Sequence, residues 1–302
     1  MTWSVKQMKF ETFVKQTVMR LLPTKWWVKI DYRFHMGKSC DLKNPQSFNE
    51  KLCWMKVYYG SAERGGLVDK YLAKQYIADK IGPEYVVKTL GVWDRFGDIP
   101  FDHLPERFVL KPSHTSGNVL ICKDKSKLDL TALKKEVDRW MRRDFYHQGR
   151  EPEYRRIKPR ILAEEFLADK DGKEVPDYKF FCFDGIPRAV CLCEDRFGEG
   201  GVKLRYYDMQ WNPLPFRKVH TVLGEPIERP AVFDEMVCIC KILSEGFPFV
   251  RLDMYDVQGK VYMGEMTFYP DSGVKAFENE DWDLLIGSWI KLPERQIKGH
   301  IG

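Results

Sequence analysis

No apolar run in this chain approaches the roughly 18 residues that a membrane-spanning helix needs, and the N-terminus lacks the compact apolar region of an export signal. Gly/Ser linkers, low-complexity tracts and internal repeats are missing too, which argues against fibrous, solenoid and largely disordered architectures. Charge of one sign is scarce: the formal net charge is +5 over 302 residues, with Lys/Arg intermixed among Asp/Glu, a balance that does not imply nucleic acid. Neither G-x-x-x-x-G-K-S/T nor G-x-G-x-x-G occurs, so neither a P-loop nor a Rossmann dinucleotide site is indicated. The eight cysteines do not make a zinc site, because Cys191/Cys193 and Cys238/Cys240 have one intervening residue where structural zinc usually has two to four, and no paired histidines accompany them. With no export signal they read as reduced, buried thiols, and the expected compartment is the cytoplasm.

What remains is a chain long enough for one large or two modest domains, a size that permits an enzyme, with 44% apolar and 31% charged residues, as in a soluble globular protein. Its first thirty residues stand apart: Lys6, Lys9, Lys15, Arg20, Lys25 and Lys29 interleave with Trp3, Phe10, Phe13, Trp26 and Trp27. This is the pattern of an amphipathic helix whose apolar stripe packs on the main domain or lies on anionic lipid, peripheral to the inner face of the membrane.

Further along, Ser47 and Glu50 have capping-box spacing ahead of Leu52, Trp54 and Met55, so a helix starts there; a second helical stretch runs from about Val68 to Ile81 and stops at Gly82-Pro83. From Phe108 the pattern becomes strand, loop, strand: Phe108 to Lys111, a small polar loop from Ser113 to Asn118, then Val119 to Cys122. Leu130 to Phe145 reads as helix and Arg160 to Leu167 as extended. Asp184-Gly185 and Gln258-Gly259 each join apolar runs as hairpin turns, and a third hairpin runs from Arg205 into Trp211. Antiparallel strands with flanking helices make an α+β protein.

Two constellations carry chemistry. Lys111 runs into the Ser113–Asn118 loop, whose small residues let backbone N–H groups approach phosphate oxygens, although an ordinary hairpin turn explains that loop equally well. Asp253 and Glu265 lie within the apolar strands of the last hairpin, where they can share one or two Mg²⁺ ions or pair with Arg251 or a nearby lysine.

The order of these pieces resembles the ATP-grasp enzymes, and within them the teichuronopeptide-biosynthesis (TupA-like) group associated with bacterial surface polysaccharides. The resemblance runs through Asn44-Pro45, Phe48 to Lys51, Asp69-Lys70, Gly91 to Trp93, Phe108 to Gly117, Ala163 to Leu167, Asp177 to Gly185, Val250 to Asp253 and Gly264 to Phe268. It implies an ATP-grasp fold, two α+β lobes clamping ATP, with a helical N-terminal region over 1–90, a small lobe with the phosphate loop over 91–165 and a large lobe with the metal site over 166–302.

The resemblance further implies that Lys70 and Lys111 bind phosphates, that Ser113, His114, Thr115, Ser116, Gly117 and Asn118 form a mobile loop over them, and that Glu164, Glu165, Phe166 and Leu167 meet the adenine and ribose. Lys179 would face the γ-phosphate and Arg251 the acyl phosphate, with Arg196 and Arg205 as further acceptor candidates. Asp253 and Glu265 match the Mg²⁺ carboxylates, and Thr267 stands where many members have Asn.

The implied reaction is an ATP-dependent ligation of a carboxylate, on a uronic acid of a surface polysaccharide or its precursor, to an amine through an acyl phosphate. The rival readings are a glycosyltransferase, for which Asp253-Met254-Tyr255-Asp256 has the wrong metal-motif spacing, and a non-catalytic, membrane-peripheral nucleotide-binding protein.

Overall fold

The computed structural model describes residues 20–169, 175–194, 202–219 and 221–294. The early part is helical: α1 (Thr24–Met36), α2 (Phe48–Tyr58), α3 (Gly65–Val68) and α4 (Leu72–Ile81). The capping box at the head of α2 is complete, since the Ser47 side chain accepts from the Glu50 N–H while Glu50 reaches back to the Ser47 N–H. The continuous helix expected from Val68 to Ile81 is instead broken at Asp69-Lys70. One Asp69 oxygen accepts from the N–H groups of Tyr71 and Leu72, starting α4 afresh, and the other takes the Ser113 hydroxyl.

A four-stranded antiparallel sheet follows, made of β1 (Thr89–Trp93), β2 (Phe108–Pro112), β3 (Leu120–Cys122) and β4 (Ile161–Glu165) in the order β1-β4-β2-β3. Between β3 and β4 run α5 (Leu130–Met141) and α6 (Phe145–Gly149). The single helix expected from Leu130 to Phe145 is thus two, because Asp144 caps the second one through the His147 N–H. Phe108, Leu110 and Ala163 of this sheet close over Leu133, Val137 and Trp140 of α5 in a small core.

The second sheet has seven strands. Along its main path the order is β11-β10-β5-β6-β7-β8, and β9 pairs with β7. These are β5 (Asp177–Phe183), β6 (Ile186–Glu194), β7 (Lys203–Tyr207), β8 (Pro213–Leu214), β9 (Val222–Leu223), β10 (Val250–Val257) and β11 (Lys260–Thr267), with α7 (Phe233–Ser244) and α8 (Glu280–Ser288). The hairpin turns are where Asp-Gly and Gln-Gly predict them: Asp184, Gly185, Gln258 and Gly259 all have positive φ, the left-handed geometry a two-residue turn requires.

Apolar residues of α1, α2 and α4, among them Trp27, Phe48, Leu52 and Ile77, join the core of this larger sheet with Phe180, Phe249 and Leu252. The cysteines sit mostly in these cores; none forms a disulfide, and all but Cys238 are buried. No helix among the described residues is long and apolar enough to cross a membrane. The expectation for the first thirty residues falls largely on 1–19, outside the described residues; of the rest, Trp27 packs inward and Trp26 does not.

Candidate functional site

Between the two sheets lies a cavity of about 680 Å³. Strand alternation decides what faces it. On β2, Phe108 and Leu110 point into the small core, so Val109 and Lys111 face the cavity; on β10, Leu252 and Met254 point into the large core, so Asp253 and Tyr255 face the cavity. The β10–β11 register sets Asp253 opposite Glu265, and the β10–β5 register sets Asp253 opposite Lys179.

One wall carries cations. Lys111 Nζ lies 2.5 Å from Glu164, whose other oxygen takes Lys74 Nζ at 2.7 Å. Burial alone would push the Glu164 carboxyl up, but Lys111 and Lys74 together hold it below the usual carboxylate range. Lys70 completes the group: its Nζ donates to the Thr115 carbonyl at 2.6 Å and lies 3.7 Å from Glu265. Burial pulls the Lys70 amine below its ordinary value, with Glu265 opposing and Lys111 adding to the depression.

The other wall carries acids. Asp253 is buried and receives both the Nε and Nη2 of Arg251, at 2.6 and 2.7 Å, together with Lys179 Nζ at 2.6 Å. Lys179 also donates to Asp177 at 2.9 Å, and Arg251 reaches Glu265 and the Thr267 hydroxyl at 3.3 and 3.2 Å. Burial is the largest single influence and disfavours both cations, yet the surrounding acids together, Asp253 first among them, hold each above its usual value, with Asp177 adding at Lys179 and Glu265 at Arg251.

Of the residues singled out from sequence, Lys70, Lys111, Ser116, Gly117, Asn118, Glu164, Glu165, Phe166, Leu167, Asp253 and Glu265 all line the cavity. Ser113, His114 and Thr115 do not: they are buried beneath it and form the root of the loop. Burial and the nearby Lys70 charge hold the His114 imidazole below its ordinary pKa. Lys179, Arg251 and Thr267 are not on the lining; they stand beside the acids on the same face of the sheet and hydrogen-bond to them. Arg205 donates to the Gly224 carbonyl, and Arg196 lies outside the described residues.

Sequence reading missed Lys74, Asp177 and Lys123. Lys74 follows Lys70 by four residues on a helical stretch, and Asp177 shares a strand face with Lys179; both spacings were available as signals. Lys123 lines the cavity just past β3, with no comparable signal.

Among the described residues no group of three or more His, Cys, Asp or Glu could hold a metal ion. The facing pair Asp253 and Glu265 nevertheless offers hard oxygen donors on the cavity wall, a set that suits Mg²⁺ when ligand oxygens complete its shell.

Several solved structures resemble the chain at low identity. D-alanine–D-alanine ligase from Bacillus anthracis complexed with ATP aligns over 67% of this chain and 55% of that one, with 18% identity and a TM-score of 0.41. The same enzyme from Helicobacter pylori aligns over 75% and 61%, with 16% identity and a TM-score of 0.42. The ATP-grasp ligase PsnB complexed with minimal precursor, Mg and ADP aligns over 72% and 57%, with 13% identity and a TM-score of 0.38. The chain therefore spans less than two thirds of the length of these enzymes. No curated protein matches it in sequence. A family model described as TupA-like ATPgrasp matches residues 50–291, which include both sheets and the whole described lining of the cavity. On that match, over most of its length, the chain belongs to the TupA-like ATP-grasp family.

Proposed function

We propose that the chain is an ATP-dependent carboxylate-amine ligase acting through an acyl phosphate. The observation that carries this reading is the cavity itself, with Lys70 and Lys111 on one wall and Asp253 facing Glu265 on the other. The triphosphate enters between the walls, where Lys111 and Lys70 bind the phosphate oxygens and the backbone of Ser116, Gly117 and Asn118 covers them. Glu164 to Leu167, at the end of β4, supply the edge for the adenine and ribose.

Asp253 and Glu265 are the residues that would hold Mg²⁺, which supplies charge neutralisation at the phosphate oxygens. Arg251 and Lys179 fix the Asp253 carboxylate in place, and their positive charge lies beside it. A substrate carboxylate oxygen attacks the γ-phosphorus, the bond to the β-phosphate bridging oxygen breaks and ADP leaves. An amine then attacks the acyl carbon, phosphate departs, and an amide forms with loss of the amine proton. The chain's own contribution is positioning and electrostatic stabilisation, with the loop excluding water from the acyl phosphate.

The substrate assignment within this proposal is a uronic acid of a surface polysaccharide or its precursor, joined to an amino acid or another amine. It rests on the family resemblance, an analogy between sites rather than a reading of this cavity. The test is a phosphate-release screen of Mg²⁺-ATP against pooled uronic acids and amino acids. ADP and phosphate appearing in equal amounts with an amide are expected; amide formed without ADP, or tighter binding of a nucleotide sugar than of ATP, overturns the proposal.

A further inference from the structure

The stretch that follows α5 is strongly basic. Residues 142–160 contain seven Lys or Arg against three acids, and those acids do not offset the charge outside. Glu151 and Glu153 are buried, and Asp144 is taken up by Arg20 at 3.6 Å and His147 at 2.6 Å. Arg142, Arg155, Arg156 and Lys158 are exposed. Lys158 pairs with Asp94, while no ion pair is found for Arg142, Arg155, Arg156 or Arg160 among the described residues.

Folding gathers these cations around aromatic rings. The guanidinium carbons of Arg150 and Arg155 lie 5.4 and 5.7 Å from the centre of the Tyr146 ring, that of Arg143 lies 5.9 Å from Phe145, and that of Arg160 lies 5.4 Å from Tyr71. Phe145 in turn meets Tyr154 edge-on at 4.6 Å.

The stretch also touches the cavity. Arg143 Nη1 donates to the side-chain oxygen of Asn118 at 2.6 Å, and the Arg160 carbonyl accepts from the Ser113 N–H at 2.8 Å, so both ends of the loop over the cavity rest on it. Tyr154 is close enough to the acidic wall to feel its charge: burial first, then Glu151 and Glu265, push the phenol well above its ordinary value.

Exposed arginines without counter-charges repel one another, and an anion that meets them removes that cost. One small anion engages only two or three such groups, whereas a stripe of this length fits an anionic chain. Nucleic acid matches the charge and the rings, but the stripe ends at a cavity where, on the proposed function, a carboxylate is activated, and nucleic acid carries none. A chain of uronic acids bears a carboxylate on every sugar, and its ring faces can lie on aromatic and guanidinium planes.

We infer that residues 142–160 form a docking surface for a polyuronate chain, so that the substrate carboxylate belongs to a polymer and not to a free sugar. The identity of the chain rests on the ligase reading; its binding requires no catalysis.

The experiment is fluorescence anisotropy of end-labelled oligogalacturonate with the full chain, without nucleotide, beside calorimetry of Mg²⁺-ATP. The oligomer is expected to bind, to weaken as salt is raised, and to be displaced by unlabelled oligomer far better than by galacturonate monomer at equal carboxylate concentration. Arg155→Ser with Arg156→Ser should lower the affinity by about tenfold or more with ATP affinity unchanged, and Arg155→Lys with Arg156→Lys should retain more of it. Arg142→Ser, at an exposed position, should weaken the oligomer to a smaller degree in a protein with the wild-type melting temperature. Monomer that competes as well as oligomer overturns the inference, as does a Ser pair that binds the oligomer like wild type. Single-stranded DNA or polyglutamate that displaces the label at lower concentration than polyuronate overturns it too, in favour of a nucleic acid or an acidic peptide. Oligomer binding that persists in a protein unable to bind ATP would sink the ligase reading and leave the docking surface standing.

Discussion

On the four-stranded sheet one buried acid, Glu164, stands between Lys111 and Lys74; on the seven-stranded sheet one buried acid, Asp253, stands between Arg251 and Lys179. Each acid meets two cations, and on the second wall those cations also serve Asp177 and Glu265. What differs is the member turned to the cavity. On the first wall a cation, Lys111, lines the space beside its acid, whereas on the second the acid lines it and both cations stand off the lining. The first wall thus turns a cation to the cavity and the second an acid; Arg251 and Asp253 share one face of β10, so their place along the strand, and not the face they point to, separates the one on the lining from the one off it.

The sharpest way to break this comparison is to remove the acid of the second unit. Asp253→Asn takes away a proposed Mg²⁺ ligand and leaves Arg251 and Lys179 buried without their shared counter-charge. Turnover, read as ADP release, should fall by about a thousandfold or more, since metal assistance is worth several kcal/mol. Chemical denaturation should show a loss of about 3–5 kcal/mol, the usual cost of breaking a buried ion pair from one side. Full Mg²⁺-dependent activity in this variant would show that the two walls do not divide the work as described.

A smaller effect is expected on the first wall, where a cation can be removed with its partner still served. Lys111→Ala leaves Glu164 paired with Lys74, so the fold should hold. ATP affinity should fall by roughly ten- to a hundredfold, the worth of a hydrogen bond to a charged group. Calorimetry that returns unchanged affinity for a folded Lys111→Ala protein would contradict the phosphate role.

Other buried acids sharpen the comparison through pH. Burial dominates at Glu151 and Glu153 and holds both carboxyls above their ordinary value, with Lys56 opposing at the first and Arg64 at the second; at Glu164 two adjacent lysines reverse the outcome. A carboxyl raised in the folded state binds its proton more tightly there, so stability falls as pH rises from the unfolded value of about 4.3 through the folded one. A carboxyl lowered in the folded state does the reverse: its contribution is complete above about 4.3 and is lost as pH falls through the folded value. Glu153→Gln should therefore remove a decline above that point and Glu164→Gln a decline below it, both read from urea midpoints across pH. Two variants that change the same side of the curve would mean that the count of partner cations does not set the sign.

The smallest effect belongs to the edge of the second unit. The Thr267 hydroxyl donates to Glu265 at 3.2 Å and accepts from Arg251 at the same distance, so it braces both. Thr267→Val should cost about 0.5–1.5 kcal/mol in stability and reduce turnover less than about tenfold. A loss as large as that of Asp253→Asn would make Thr267 a direct Mg²⁺ ligand.

Much of this molecule is written locally. The capping box at Ser47 and Glu50, the Asp184-Gly185 and Gln258-Gly259 turns and the strand runs beside them are short-range signals, and the structure follows them. Helix continuity was harder to read, because the breaks at Asp69 and Asp144 depend on carboxylates that compete as caps, in one case with help from Ser113 far along the chain. The lining residues were legible as types and positions through the family resemblance. The pairing of Arg251 with Asp253, two residues apart on one strand, was legible as an alternative; that Lys179 turns to Asp253, or that Lys74 finds Glu164, follows from strand register and the placement of the two sheets, which no local window contains.

The loop over the cavity has a consequence for how fast it can act. Its root is tied down by four bonds: Lys70 N–H to the Ser113 carbonyl, Ser113 N–H to the Arg160 carbonyl, the Ser113 hydroxyl to Asp69 and Lys70 Nζ to the Thr115 carbonyl. Its far end is held through Asn118, whose side-chain oxygen takes Arg143 at 2.6 Å and Thr115 at 3.3 Å. Only Ser116 and Gly117 stand between, with Gly117 at φ 80°. On the proposed function, closing over a nucleotide would then order about two residues rather than six, at an entropic cost of about 1–2 kcal/mol for each. In hydrogen exchange, the amides of 113–115 should be slow and those of 116–117 fast, so the cover works as a short flap on a fixed hinge pin and opens without disturbing the wall beneath it.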